Sequence, residues 1–346
     1  MKINWDKIEQ YIIEGYINYQ KHNTVDLWIY NYTAKCQYSN YWNNETLSCR
    51  GLIRNAKFTI IARPFKKIFN MAEEKEIPNE SYDVYEKLDG SLGILYFIKE
   101  KPYIATRGSF HSPQAEFANS FLYKNIDYTQ FDSSYTYLFE IIYPENRIIV
   151  NYQNKEDLIL LAKIHTITGK EESIEKYICS KEKKYFSNLH IKDIDFLFSI
   201  PEKNKEGFVL HYKPSNKRIK LKFNNYLKLH KLKYSLSDKI IIEYAKQYVK
   251  TGIDFILKQN ELIDDLFYKE ILDKYNNYIM IYRKIVIEIE SFFKKITITN
   301  LTRKEIASII ITHKYKSILF AKLDNKNIEN LIWDTIKKIA FQKEKK

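Results

Sequence analysis

Polar and apolar residues follow two rhythms along this chain, and the change falls in its last third. Short segments such as Val25-Asp26-Leu27-Trp28-Ile29, Phe58-Thr59-Ile60-Ile61, Tyr137-Leu138-Phe139-Glu140-Ile141 and Gly207-Phe208-Val209-Leu210 recur between polar turns in the first two thirds. Their length and alternation predict strands. An apolar stripe at Trp5, Ile8 and Ile12 predicts one leading helix. The strand spacing is irregular, with no regular strand-helix alternation, so an antiparallel α+β domain is expected rather than a parallel sheet.

The later segment reads differently. Seven of the eight glycines and all seven prolines lie before residue 220, and from Ile253 to Lys346 there is neither. Ile279, Tyr282, Val286, Ile289 and Phe293 recur at helical spacing, as do Ile328, Leu331, Ile332, Thr335, Ile336 and Ile339. Thr302 and Glu305 have the spacing of a capping box ahead of Ile306. The chain is therefore expected to divide into an α+β domain over 1–235 and an all-helical domain over 236–346.

Composition narrows the function classes. A hydrophobic content of 45% with 15% aromatic residues fits a folded globular protein. No apolar run approaches the roughly 20 residues needed to cross a bilayer, and no signal-peptide pattern opens the sequence. Cys36, Cys49 and Cys179 offer neither a disulfide framework nor a zinc spacing. A cytoplasmic protein is expected. The formal net charge of +13 favours a polyanionic partner such as nucleic acid, although the richness in Lys, Ile, Asn and Tyr also fits an AT-rich genome.

The most informative stretch is Tyr85 to Gly93, where Lys87 stands two residues before Asp89-Gly90. An Asp-Gly step between apolar alternating runs predicts a hairpin, which would hold Lys87 on rigid backbone. A lysine held so, partly desolvated and near other cations, can lose its proton near neutral pH and act as a nucleophile; the plainer reading is an exposed lysine beside a turn. Other charges also lie inside apolar segments, where an unpaired charge would be costly. They are Arg50, Arg107, Glu140, Glu206, and Lys220 with Lys222, which alternate with Ile219, Leu221 and Phe223 and so share a face. Gathered around one cleft, such cations and carboxylates suit a nucleoside triphosphate and its divalent metal.

In this order the motifs resemble the covalent nucleotidyltransferases, the polynucleotide ligases and mRNA capping enzymes, and in detail the T4 RNA ligase 1 family. Matching elements are Tyr30-Asn31-Tyr32, Cys49-Arg50-Gly51, the segment from Ala62 to Asn70, Lys87-Leu88-Asp89-Gly90-Ser91 and Arg107-Gly108-Ser109. Phe139-Glu140, Pro144-x-Asn146-Arg147-Ile148, Glu206-Gly207-Phe208-Val209, Lys220-x-Lys222 and Tyr226 continue the series. The resemblance implies an antiparallel nucleotidyltransferase domain followed by a helical domain. The lysines of that domain and aromatics such as Tyr315 and Trp333 suggest that it contributes RNA choice through phosphate and base-stacking contacts; the plainer reading makes both aromatics core, and it is the better one for Trp333. The resemblance also implies ATP as cofactor with Mg2+, or Mn2+ in its place.

Lys87 matches the lysine that takes up AMP. Lys220 and Lys222 match the pair at the α-phosphate, which would assist catalysis as well as binding. Tyr30, Arg50 and Lys67 match nucleotide-pocket positions, and Asp89 and Gly90 shape the turn there. Glu140 and Glu206 match carboxylates that contact ribose or metal, and Arg107 and Tyr226 positions tied to RNA ligation. The implied partner is RNA with 5′-phosphate and 3′-hydroxyl ends, such as cleaved tRNA, together with a separate end-healing kinase-phosphatase and no membrane. Three departures stand out: Leu88 replaces an acidic residue, Arg107 replaces a lysine, and an acidic pair of the helical domain has only Asp254 as its nearest counterpart. DNA ligases and capping enzymes share the lysine motif but carry a β-barrel where this chain predicts helices; a non-catalytic RNA-binding protein of the same fold is the reading from another class.

Overall fold

The alternating segments assemble into three sheets. In the computed structural model, which describes residues 3–200, 203–252, 265–298 and 301–343, the first sheet joins Ile17–Lys21, Leu27–Tyr32, Arg50–Asn55 and Ile60–Ala62 as an antiparallel meander. The second orders Lys184–Leu189, Tyr82–Lys87, Gly207–Tyr212, Lys217–Lys222 and Phe69–Asn70, only the last pair being parallel. The third orders Glu171–Glu172, Asp157–His165, Tyr135–Ile142, Ser91–Ile98 and Lys101–Ala105. This is the antiparallel α+β architecture that the strand spacing predicted.

The Asp89-Gly90 step does not close a hairpin, and that expectation is corrected. Strand Tyr82–Lys87 pairs with Gly207–Tyr212 and Lys184–Leu189, whereas Ser91–Ile98 pairs with Lys101–Ala105 and Tyr135–Ile142. Leu88, Asp89 and Gly90 carry the chain from one sheet into another. The hairpin signal weighs only local alternation, but both strands find their hydrogen-bonding partners far along the sequence. The Asp89 carboxylate, free of turn duty, accepts from the backbone N–H of Ile149 and Val150 at 2.7 and 2.8 Å. Gly90 is required sterically, since a Cβ there would lie 2.5 Å from the Ile141 carbonyl oxygen of the neighbouring strand.

The chain divides into two compact units, Met1–Leu227 and Lys228–Lys346. The division falls within the helix Asn224–Ser235, a few residues before the position read from the sequence. Beyond it every described element is a helix: Asp238–Thr251, Asp265–Thr297, Arg303–Ile311, Lys316–Leu323 and Glu329–Lys343. Thr302 and Glu305 form the capping box in both directions. Ile279, Ile289, Ile332 and Ile336 are buried in one core with Trp333, whose ring stacks on Tyr282 at 4.6 Å. Trp333 is thus a core residue and not a base-stacking one, while Tyr315 packs half-buried at the edge of that core. Asp254 lies outside the described residues. Among the described residues no helix is long and apolar enough to cross a membrane.

Candidate active site

Register across the second sheet builds the site. Lys87, Gly207 and Lys222 lie opposite one another on three adjacent strands, so the two lysines stand on either side of a residue with no side chain. Across two strand spacings their Cα atoms are about 9–10 Å apart, too far for direct contact but within reach of one intervening carboxylate. Glu206, the residue before Gly207, supplies it. Its Oε2 accepts from Lys87 Nζ at 2.6 Å and its Oε1 from Lys222 Nζ at 2.8 Å. Glu206 is buried, and burying it is tolerable because both of its oxygens are paired. Lys222 also lies over the Tyr226 ring, 5.0 Å from its centroid.

One rung along the same face, Lys220 is partly buried and has neither hydrogen bond nor ion pair among the described residues. Desolvation, reinforced by Arg50, Lys87 and Lys222 and opposed by Glu206, holds its pKa well below that of an ordinary lysine. Arg50 Nη1 is likewise buried without a hydrogen-bond partner. An unsatisfied buried donor such as this Nη1 is rare in folded proteins, and Arg50 and Lys220 border a pocket of about 160 Å³ that also receives Lys87, Gly90 and Glu140. The arrangement offers uncompensated positive charge to an anion.

Glu140, on strand Tyr135–Ile142, accepts from Gly90 N at 2.9 Å. Desolvation pushes its carboxyl from the usual 4.5 up to about 7, with Lys87 pulling down and Glu206 pushing up. Such a carboxyl ionises readily once a cation arrives. Among the described residues no three His, Cys, Asp or Glu side chains cluster to hold a metal ion; Mg2+ needs no such cage, since one or two carboxylates plus substrate phosphates suffice for it. The donor set therefore fits a metal that arrives with a nucleotide. The shift has a consequence for stability. Between pH 4.5 and 7 the folded protein binds more protons at Glu140 than the unfolded chain does, so this group's contribution falls as pH rises through that window. Glu140→Gln should accordingly gain Tm relative to the parent as pH rises from 5 to 8; equal Tm differences at both ends would contradict this.

Asp89 is buried and organises the crossover rather than lining the pocket. Besides Ile149 N and Val150 N it accepts from Tyr226 Oη at 2.7 Å, and its own N–H donates to Tyr152 Oη at 2.9 Å. Tyr226 is thereby tied to the lysine motif. Removing its hydroxyl in Tyr226→Phe should cost about 1–2 kcal/mol in urea unfolding, because a buried carboxylate oxygen loses its donor; an unchanged midpoint would count against that role.

The remaining candidates lie further out. Arg107, exposed after strand Lys101–Ala105, donates to Tyr32 Oη at 3.3 Å; Tyr32 also stabilises the charge on Arg50. Lys67 sits over Tyr32, Trp42 and Phe69 and lines an adjoining cavity of about 540 Å³. Tyr30 does not reach either cavity; it is buried against Trp5, and its hydroxyl accepts from Arg54 Nε at 2.8 Å. Leu88, the departure inside the lysine motif, is only 8% exposed and packs on Ile142 and Ile159. An apolar residue suits that place, where an acidic one would be buried unpaired. Sequence reasoning missed Arg218, which shares the face of Lys220 and Lys222 and was visible in their alternation, and Tyr152 and Glu182, for which no local signal exists.

A family model described as RNA ligase, of the T4 RNA ligase 1 type, matches residues 48–236. An RNA ligase of Rhodothermus phage RM378 is 22% identical over an alignment covering 92% of this chain and 91% of that protein. A protein of Autographa californica nuclear polyhedrosis virus, whose name assigns it both a polynucleotide kinase and an RNA ligase, is 25% identical over 62% of this chain, and the match spans 34% of that protein. A solved structure named as an ATP-dependent DNA ligase of Aquifex aeolicus is 18% identical, with a TM-score of 0.49 over 84% of this chain and 80% of that one. The matched family segment is more than half of the sequence and holds Lys87, Glu140, Glu206, Lys220 and Lys222 together, and the chain belongs to this RNA ligase family.

Proposed function

We propose that this protein is an ATP-dependent RNA ligase that joins a 5′-phosphate to a 3′-hydroxyl through AMP carried on Lys87. The observation that carries the reading is the Lys87–Glu206–Lys222 bridge beside Lys220, which has no partner among the described residues, and the unpaired Nη1 of Arg50. Lys87 Nζ, once it has lost its proton to solvent, attacks the α-phosphorus of ATP; an N–P bond forms, the bond to the bridging oxygen breaks, and pyrophosphate leaves. An RNA 5′-phosphate oxygen then takes the AMP and frees Lys87. A 3′-hydroxyl finally attacks that 5′-phosphorus, loses its proton and expels AMP. Each step crowds negative charge at one phosphorus, so positioning and charge neutralisation dominate catalysis. Lys220 and Lys222 would offset the charge on the α-phosphate and Arg50 the charge on its neighbours. A divalent metal, held by Glu140 and the phosphates, would neutralise charge further.

The experiment is incubation of purified protein with labelled ATP and magnesium, then with 5′-phosphate RNA. Label on the protein that passes to RNA supports the reading, and its absence overturns it. GTP as the better donor would point to capping, and preferential sealing of nicked DNA to a DNA ligase. The finer proposal is that the helical unit directs the enzyme to RNA broken in a loop, such as tRNA, after a separate kinase-phosphatase has prepared the ends. A fragment of residues 1–235 should take up AMP at close to the full-length rate yet seal broken-loop RNA at least tenfold more slowly; equal sealing would remove that role.

A further inference from the structure

One carboxyl in the pocket has no part in the chemistry above. Glu182 lines the pocket with Lys87 and Lys220, yet no hydrogen bond or ion pair is found for its side chain among the described residues. Its backbone is fixed from both sides. Glu182 N donates to Leu160 O at 3.1 Å, and the next residue's carbonyl, Lys183 O, accepts from Glu86 N at 2.8 Å, beside the nucleophile. The side chain is thus delivered to one place, with Leu161 and Val209 also in the wall. Val209 lies opposite Tyr85 and Lys220, two residues from the Lys87 rung.

A partly buried carboxyl without a partner costs stability and calls for an explanation. Arg218, the cation that acts on it most strongly, is already paired with Glu171. Burial pushes Glu182 up to about 8; Glu171 and Glu140 push the same way, and Arg218 and Lys184 pull against them. At neutral pH the group keeps its proton and offers a donor and an acceptor side by side. That pair, flanked by apolar walls, matches the edge of a purine bearing an amino group next to a ring nitrogen.

Resting on the reading that Lys87 takes up AMP, we propose that Glu182 recognises the adenine of the nucleotide, accepting from its 6-amino group and donating to ring N1. The base lies between Leu161 and Val209 while its α-phosphate meets Lys220 and Lys87. Glu182 thereby determines which nucleotide charges the enzyme and leaves the transfer itself to the lysines.

Full-length protein is labelled with ATP or with purine riboside triphosphate, which lacks the 6-amino group, in the parent, Glu182→Leu, Glu182→Ala and Glu182→Gln. The parent should prefer ATP by roughly tenfold or more. In the Leu and Ala variants the preference should fall to about twofold or less, and in the Gln variant, which keeps a donor and an acceptor, it should persist. The Leu variant should fold at least as well as the parent, since it removes an unpaired buried group; should it not, the Ala variant decides. Preference for ATP undiminished in the folded variant overturns the role of Glu182 alone. No label on the parent from either nucleotide overturns the ligase reading and this inference together.

Discussion

Lys87→Arg should take up no more AMP than Lys87→Ala, a loss on the order of 10³-fold or more for a covalent nucleophile. Arginine keeps the positive charge and could hold one oxygen of Glu206, so a purely electrostatic role for Lys87 would leave the variant partly active. Nucleophilic attack demands a neutral nitrogen, and guanidinium stays protonated at any pH a protein survives. The two roles thus diverge most sharply in this substitution. Labelling with ATP, read on a gel after denaturation, measures it directly. Detectable covalent AMP on the arginine variant would remove Lys87 as the nucleophile.

Gly207→Ala should be the most damaging substitution in the site for stability, though it adds only a methyl group. Gly207 has φ +148°, a region L-residues rarely occupy, and a Cβ there would stand 2.0 Å from Leu221 O and 2.8 Å from Lys222 Cα. Both obstacles are backbone, so no side chain can yield. The strands Gly207–Tyr212 and Lys217–Lys222 must part locally, at about 3 kcal/mol or more, or roughly 6–12 °C in Tm for a unit of this size. Because Glu206 precedes Gly207 and Lys222 faces it, the same displacement should break the carboxylate bridge and slow AMP uptake. A Tm within 2 °C of the parent would contradict this account.

Signals about contacts three or four residues apart survived from sequence to structure, and signals about which strands pair did not. The capping box at Thr302 and Glu305 and the helical spacing through Ile279 and Ile289 depend on residues three or four apart, and both are present. The shared face of Lys220 and Lys222 was legible for the same reason. The Asp89-Gly90 hairpin failed because Lys87 pairs with Gly207 and Leu92 with Glu140, and no local pattern carries pairings of that separation. Burial was equally hidden. Leu88 looked like a gap in a motif until Ile142 and Ile159 closed over it, and Tyr30 looked like a pocket residue until Trp5 and Arg54 took both ends of it. Glu182 lay in a run of charged residues that reads as solvated surface.

The carboxylate between Lys87 and Lys222 amounts to a tethered counterion. Two free ammonium groups would collect anions from the buffer, and an arriving triphosphate would release them, giving its affinity the steep salt dependence of polyanion binding. Here the compensating charge is part of the chain and cannot diffuse away, so nucleotide entry is an exchange inside the protein. Those two lysines should add little to the salt sensitivity of ATP binding, leaving Lys220 and Arg50 to set it. On the proposed mechanism, Glu206 is still within reach to take the lysines back once AMP has passed from Lys87 to RNA.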